Sequence, residues 1–174
     1  MSSKEAGMHN VEFKAELRDR DLARSVLLRM GATPIGVLEQ TDTYYTVKNG
    51  RLKKRETAGE RTEIVFYDRP DRSIPKLSHF SLYTEEAAAK EFGDPPGEVR
   101  IVVRKVRELL MLGSVRIHLD EVEGLGTFLE FEALVSPSQT VKACHDKIAE
   151  LRRALRPALG EPIACGYADL LEQE

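Results

Sequence analysis

The sequence predicts an α+β domain in which antiparallel strands predominate and curl toward a barrel, with a few helices attached. Three observations predict it. Apolar and polar residues alternate in strand-length runs from residue 9 to residue 135. Turn residues separate those runs at close intervals, as hairpin-linked strands require. Only residues 19–31, 84–93 and 138–156 carry helical character.

In chain order, "HNVEFKAEL" (9–17) opens the pattern, with Val11, Phe13 and Ala15 on one face and Glu12, Lys14 and Glu16 on the other. Residues 19–31 place Leu22, Val26, Leu27 and Met30 at helical spacing between an Asp start and Gly31. Strands are then expected over 39–47, 50–57 and 61–69, with Asn49-Gly50 read as a two-residue hairpin turn. Residues 70–83 read as an irregular loop running into another strand, and "TEEAAAKEFG" (84–93) as a short helix ended by glycine. Residues 97–109 and 113–135 alternate again, the second run broken by a turn at Gly124-Leu125-Gly126. Residues 138–156 form an amphipathic helix through Val141, Ile148, Leu151 and Leu155, stopped by Pro157. The tail "PIACGYADLLEQE" gives a weaker signal. These elements imply one domain over 9–172 without internal linker or repeat, preceded by a flexible tail at 1–8.

Bulk properties exclude several classes. The 174 residues carry 26 Lys+Arg against 29 Asp+Glu, a net charge of −3. A general nucleic-acid binder is normally basic, so any target of the cations is local. The N-terminus lacks an apolar signal core, and no apolar run reaches membrane-spanning length. Cys144 and Cys165 are far apart without metal-type spacing, as expected of reduced thiols. A cytoplasmic protein with no membrane partner is expected, and a homodimer is left open.

One face of each expected strand is unusually charged. It carries Glu12 and Lys14, then Arg51, Lys53 and Arg55, then Glu63, Tyr67 and Arg69. Later strands add Lys105 and Arg107, then Arg116, His118 and Asp120, and finally Glu130 and Glu132. For any single strand, a face open to water explains this. Collectively, cations two apart on several strands repel one another, and a solvated face would mix the signs. The pattern fits a closed barrel whose charged face lines a polar lumen. The cations would then face a polyanion, and a carboxylate cluster would hold a hard divalent cation, Mg²⁺ or Mn²⁺. A hydrogen-bonded structural role is the simpler reading for His118, and strand packing for Tyr44 and Tyr45. Lys76 and Ser78 fall in the irregular stretch, where they could close over one mouth of a tunnel.

These residues resemble the CYTH domains, or triphosphate tunnel metalloenzymes. "NVEFK" matches the second Glu and the Lys of the opening Glu-x-Glu-x-Lys signature, with Asn10 standing where the first Glu is found. "QTDTYYTVKNGRLKKRE", "EIVFYDR", "VVRKVREL" and "VRIHLDEVEGLGTFLEFE" are similar to later blocks, in order, through to "GYADLL". The resemblance implies an eight-stranded antiparallel barrel with a tunnel for a triphosphate-containing small molecule. Lys53, Arg55, Arg69, Lys105, Arg107 and Arg116 would bind phosphate. Glu12, Asp120, Glu130 and Glu132 would hold the metal, and Lys14 and Glu12 would act in catalysis. It implies metal-dependent hydrolysis of inorganic tripolyphosphate, thiamine triphosphate or a nucleoside triphosphate. Two alternatives are a class IV adenylyl cyclase, making cyclic AMP and pyrophosphate from ATP, and a non-catalytic polyphosphate- or nucleotide-binding module.

Overall fold

The computed structural model describes residues 4–174. Nine strands run in chain order as β1 (Lys4–Leu17), β2 (Thr33–Tyr45), β3 (Arg51–Thr57), β4 (Glu63–Asp68), β5 (Lys76–Tyr83), β6 (Val99–Leu112), β7 (Val115–Val122), β8 (Gly126–Leu134) and β9 (Leu159–Pro162). Their order in the sheet is β5-β4-β3-β2-β6-β7-β8-β1-β9, and β5 also pairs with β1. That last pairing closes β1–β8 into an eight-stranded barrel, antiparallel throughout, with β9 added beside β1. Closure leaves the eight strands no free edge.

Four helices surround it: α1 (Arg20–Arg29), α2 (Glu85–Phe92), α3 (Val141–Leu155) and α4 (Tyr167–Glu172). Side-chain caps start three of them. Asp19, Thr84 and Thr140 accept from the backbone N–H groups of Leu22, Ala87 and Ala143.

Alternation decides which face is apolar, and here it faces outward. Val11, Phe13, Ile117, Leu119, Leu129 and Phe131 join Cys144, Ile148, Leu151 and Leu155 of α3 and Leu27 of α1 in the main core. Leu52, Ile64 and Tyr83 pack with Ala88 of α2 in a smaller one. On the outer face of β6, Glu108 accepts from Arg20 and Arg24, tying α1 to the barrel. With the helices covering the apolar faces, the inward faces are left to polar side chains.

Several boundaries differ from the sequence-based expectation. β1 starts at Lys4, which pairs with Tyr83, so the strand reaches into the expected tail; residues 1–3 lie outside the described residues. β2 starts at Thr33 rather than at residue 39. Thr46–Gly50 joins β2 to β3, so Asn49-Gly50 ends a longer connection instead of forming a two-residue turn. Gly50 has φ +69°, and a Cβ there would meet the Phe66 ring at 2.7 Å. Lys76 and Ser78 belong to β5 and are buried in the barrel wall, not carried in an irregular stretch over a tunnel mouth.

Candidate active site

Inward side chains from the barrel strands enclose a cavity of about 360 Å³. Seven cations line it (Lys14, Lys53, Arg55, Arg69, Lys105, Arg107 and Arg116) with four carboxylates (Glu12, Glu63, Glu130 and Glu132). The strand alternation explains the set: Glu12 and Lys14 on β1, Lys105 and Arg107 on β6, and Glu130 and Glu132 on β8 lie two apart, each pair on one inward face. Arg51 is outside this lining and pairs with Asp71 and Asp169 instead.

On one wall three of the carboxylates, Glu12, Glu130 and Glu132, gather. A ligand atom from each of His118, Glu130 and Glu132 lies within 4.8 Å of the other two. Register places Glu12 directly across from Glu132, and Lys14 directly across from Glu130. The Lys14 ammonium is 3.5 Å from a Glu130 oxygen and 4.0 Å from the centre of the Tyr167 ring, with both charged groups buried. Glu12 accepts from Arg69. Burial pushes the Glu130 carboxyl up, but Lys14, with Arg107, outweighs it and holds it well below its ordinary value. Burial and the Glu130 charge push Glu132 up to about 8. Burial, reinforced by Arg107, pulls His118 down to about 4. The two neighbouring carboxyl groups are thus shifted in opposite senses, and burial favours the neutral form of the imidazole. His118 Nδ1 is 3.4 Å from Glu130 and makes no hydrogen bond.

This donor set fits a hard or borderline divalent cation. A neutral imidazole nitrogen without a hydrogen bond and two converging carboxyl groups are ligands in waiting. The proton on Glu132 would leave as a cation entered.

Across the lumen, the cations converge on a residue the sequence reading did not single out. Asp42 of β2 is fully buried. Arg55 donates to its two oxygens at 2.8 Å each, while Lys53 at 3.1 Å and Lys105 at 2.8 Å share Oδ2. Burial alone would raise the Asp42 carboxyl, yet Arg55, Lys53 and Lys105 hold it well below the usual carboxylate range. Burial drives the Lys105 ammonium the other way, well below its ordinary value, against the pull of Asp42. One negative charge thus serves three basic groups, leaving a surplus that an anion in the cavity can satisfy.

Asp120, expected as a metal ligand, has both oxygens engaged. Arg107 donates to each at 2.8 Å, and the Tyr167 hydroxyl donates to Oδ2 at 2.6 Å. Burial acts to raise it, but Arg107 brings it down to about 2. Tyr167 opens α4 and packs on Phe128, so the helix closes over that part of the lumen. Arg116 is exposed where the cavity meets solvent.

Asp42, His118 and Tyr167 thus enter the site beyond the expected list. Asp42 has the same parity along β2 as Gln40 and Tyr44, which line the cavity, so its face was readable from "QTDTYY". Tyr167 lies on a short helix after an irregular stretch, and no periodicity marks it.

A closed antiparallel barrel with a buried, charge-lined lumen, basic groups gathered on Asp42 and a carboxylate–imidazole cluster elsewhere on its wall, defines a class of tunnel-like barrels. The chain belongs to the CYTH domain family, whose model matches residues 8–167. It is 24% identical over 179 residues to the protein named "Putative adenylate cyclase MJ0240" of Methanocaldococcus jannaschii, covering 94% of this chain and 98% of that one. Among solved structures it is similar to the PH1012 protein of Pyrococcus horikoshii, with a TM-score of 0.75 and 21% identity over 92% of this chain and 98% of that one. It is also similar to an adenylyl cyclase candidate from Hippeastrum described as revealing a dominant triphosphatase activity, with a TM-score of 0.63 and 14% identity over 94% and 95% of the two chains. Among the described residues, no helix is long and apolar enough to cross a membrane.

Proposed function

We propose that the protein hydrolyses the terminal phosphate of a triphosphate, with a divalent cation, Mn²⁺ or Mg²⁺, held in the lumen. The observation that carries this reading is the pairing, in one cavity, of three basic groups sharing Asp42 with the His118–Glu130–Glu132 cluster. An anion-binding module needs the first but has no use for the second. Phosphoryl transfer needs both, because its barrier falls mainly through charge neutralisation and in-line positioning.

In this reading Glu130 and Glu132 hold the cation, with His118 in reach and Glu12 across the strand pair from Glu132. A bound cation would neutralise phosphate charge and acidify a coordinated water. Lys53, Arg55, Lys105 and Arg107 bind phosphate oxygens, and Arg69 and Arg116 extend that cradle. Asp42 and Asp120 aim the cations at the lumen. For Asp120 this replaces the expected role as a metal ligand, because Arg107 and Tyr167 occupy its oxygens. With the cation bound, both Glu130 and Glu132 would be ionised, and the attacking water would be held beside these two glutamates. Lys14, held between Glu130 and Tyr167, orients that water.

The same cradle could present the α-phosphorus of ATP to its ribose 3′-hydroxyl, and the name of the Methanocaldococcus relative favours that second reading. Product analysis separates them. Purified protein with Mn²⁺ and ATP, tripolyphosphate or thiamine triphosphate is expected to release phosphate without cyclic AMP. Cyclic AMP with pyrophosphate from ATP would replace hydrolysis by cyclisation, and no product from any of the three would remove both.

A further inference from the structure

We propose that the mouth of the cavity is a subsite for the organic part of the substrate, so that the protein prefers an organic triphosphate whose non-phosphate group carries an N–H or O–H donor over inorganic tripolyphosphate. This rests on the triphosphatase reading and names its substrate class.

The lining changes character along β1 and β5. Toward Lys14 it is charged, but from Asn10 onward it turns neutral and apolar. Asn10 lies across from Leu134 on one side and Ser78 on the other, and Met8 lies across from Phe80. Leu82 follows on β5, and all these residues border the cavity. Inorganic tripolyphosphate, charged at both ends, could reach Arg116 where the cavity opens but gains nothing from these neutral side chains. A sugar, a base or another heterocycle buries apolar area there.

Two polar atoms stand within this neutral zone. Ser78 is 1% exposed and Asn10 6% exposed, and neither Ser78 Oγ nor Asn10 Oδ1 has a hydrogen-bond partner. Buried polar groups in folded proteins are nearly always paired, so two orphans side by side on paired strands of one cavity point to a ligand. An amide oxygen can only accept, which makes it a poor neighbour for a phosphate oxygen and a good one for a hydroxyl or amine. The Ser78 hydroxyl can do either. A site that hydrogen-bonds a substrate group also rejects analogues lacking it, because its own polar atoms are then left unpaired.

Two measurements test this. The first is calorimetric binding, without metal, of ATP, thiamine triphosphate and tripolyphosphate to the wild-type protein. The second is kcat/KM for the same compounds with Mn²⁺. At least one organic triphosphate is expected to exceed tripolyphosphate by about tenfold or more in both. Ser78→Ala is expected to lower that ratio by about three- to tenfold, the range for one lost hydrogen bond. Leu134→Ala, at a 45% exposed position, is expected to lower it in the same direction. Wild-type protein that binds tripolyphosphate as tightly as every organic triphosphate would overturn the subsite and leave the triphosphatase reading standing. A ratio unmoved by both variants would also overturn it. Protein that binds none of the three would overturn the triphosphatase reading itself, and the subsite with it.

Discussion

The two faces of the barrel wall are both buried, and they are buried for opposite reasons. Phe131 and Glu130 are adjacent on β8; one packs among the apolar residues beneath α3, the other beside Lys14 in the lumen. The outer face gains stability from every side chain it removes from water. The lumen meets a desolvation cost at each charged group and recovers it only through partners such as Asp42 and Asp120. A protein selected for stability alone would fill a lumen of this size with apolar side chains. Keeping it charged marks the inner face as the one that acts.

Breaking the outer face should show in stability first. Phe131→Ala is expected to cost about 3–5 kcal/mol, as for other large-to-small core changes, read as a lowered denaturant midpoint. A cost below about 1 kcal/mol would mean that the helices do not hold the barrel as described.

Asp42→Asn sharpens the contrast, because it is an inner residue whose loss should behave like a core defect. Removing one member of a buried ionic cluster typically costs about 3–5 kcal/mol. Tripolyphosphate should restore much of it, so the rise in Tm with added tripolyphosphate is expected to be larger for the variant than for wild type. An equal rise would show that Lys53, Arg55 and Lys105 do not meet the anion.

Lys53→Ala and Arg55→Ala act in the opposite sense. Either leaves two basic groups on Asp42 and relieves like-charge repulsion, so stability should hold. Tripolyphosphate affinity should fall by about tenfold, as expected for one charge-assisted contact. Clear destabilisation by both, without loss of affinity, would reassign them to the structural frame.

The smallest effect is on pH. Glu132 is raised in the fold to about 8 from an ordinary 4.5, so its contribution to stability is present in full below pH 4.5 and is lost as pH rises toward 8. His118, lowered to about 4 from 6.5, works the other way and only below pH 6.5. Between pH 6.5 and 8 the metal-free protein should therefore lose stability while Mn²⁺ affinity increases, the cation displacing a proton. Proton release on Mn²⁺ addition in weak buffer checks this, and affinity that is flat across the window would contradict it.

Much of the lumen was legible in the sequence, because alternation reports which face a side chain takes. It placed Glu12, Lys14, Lys53, Arg55, Lys105, Arg107, Glu130 and Glu132 together without any structure. Alternation does not report partners, which depend on register. That Arg107 meets Asp120 follows from their pairing across β6 and β7, and no one-dimensional reading of either strand contains it. The first half of β2 was hidden for another reason: Thr33–Val37 is exposed and includes Pro34 and Gly36, so no buried face imprints a period. β9 and α4 are too short for periodicity to show.

The central claim is that the lumen holds a divalent cation through Glu130. Calorimetric titration of Mn²⁺ into wild-type protein and Glu130→Gln, each checked for its fold by circular dichroism, tests it most directly. The account predicts saturable binding to the wild type and a loss of at least about tenfold in affinity in the variant, the effect of one ligand charge removed. Equal Mn²⁺ binding by both proteins would contradict it.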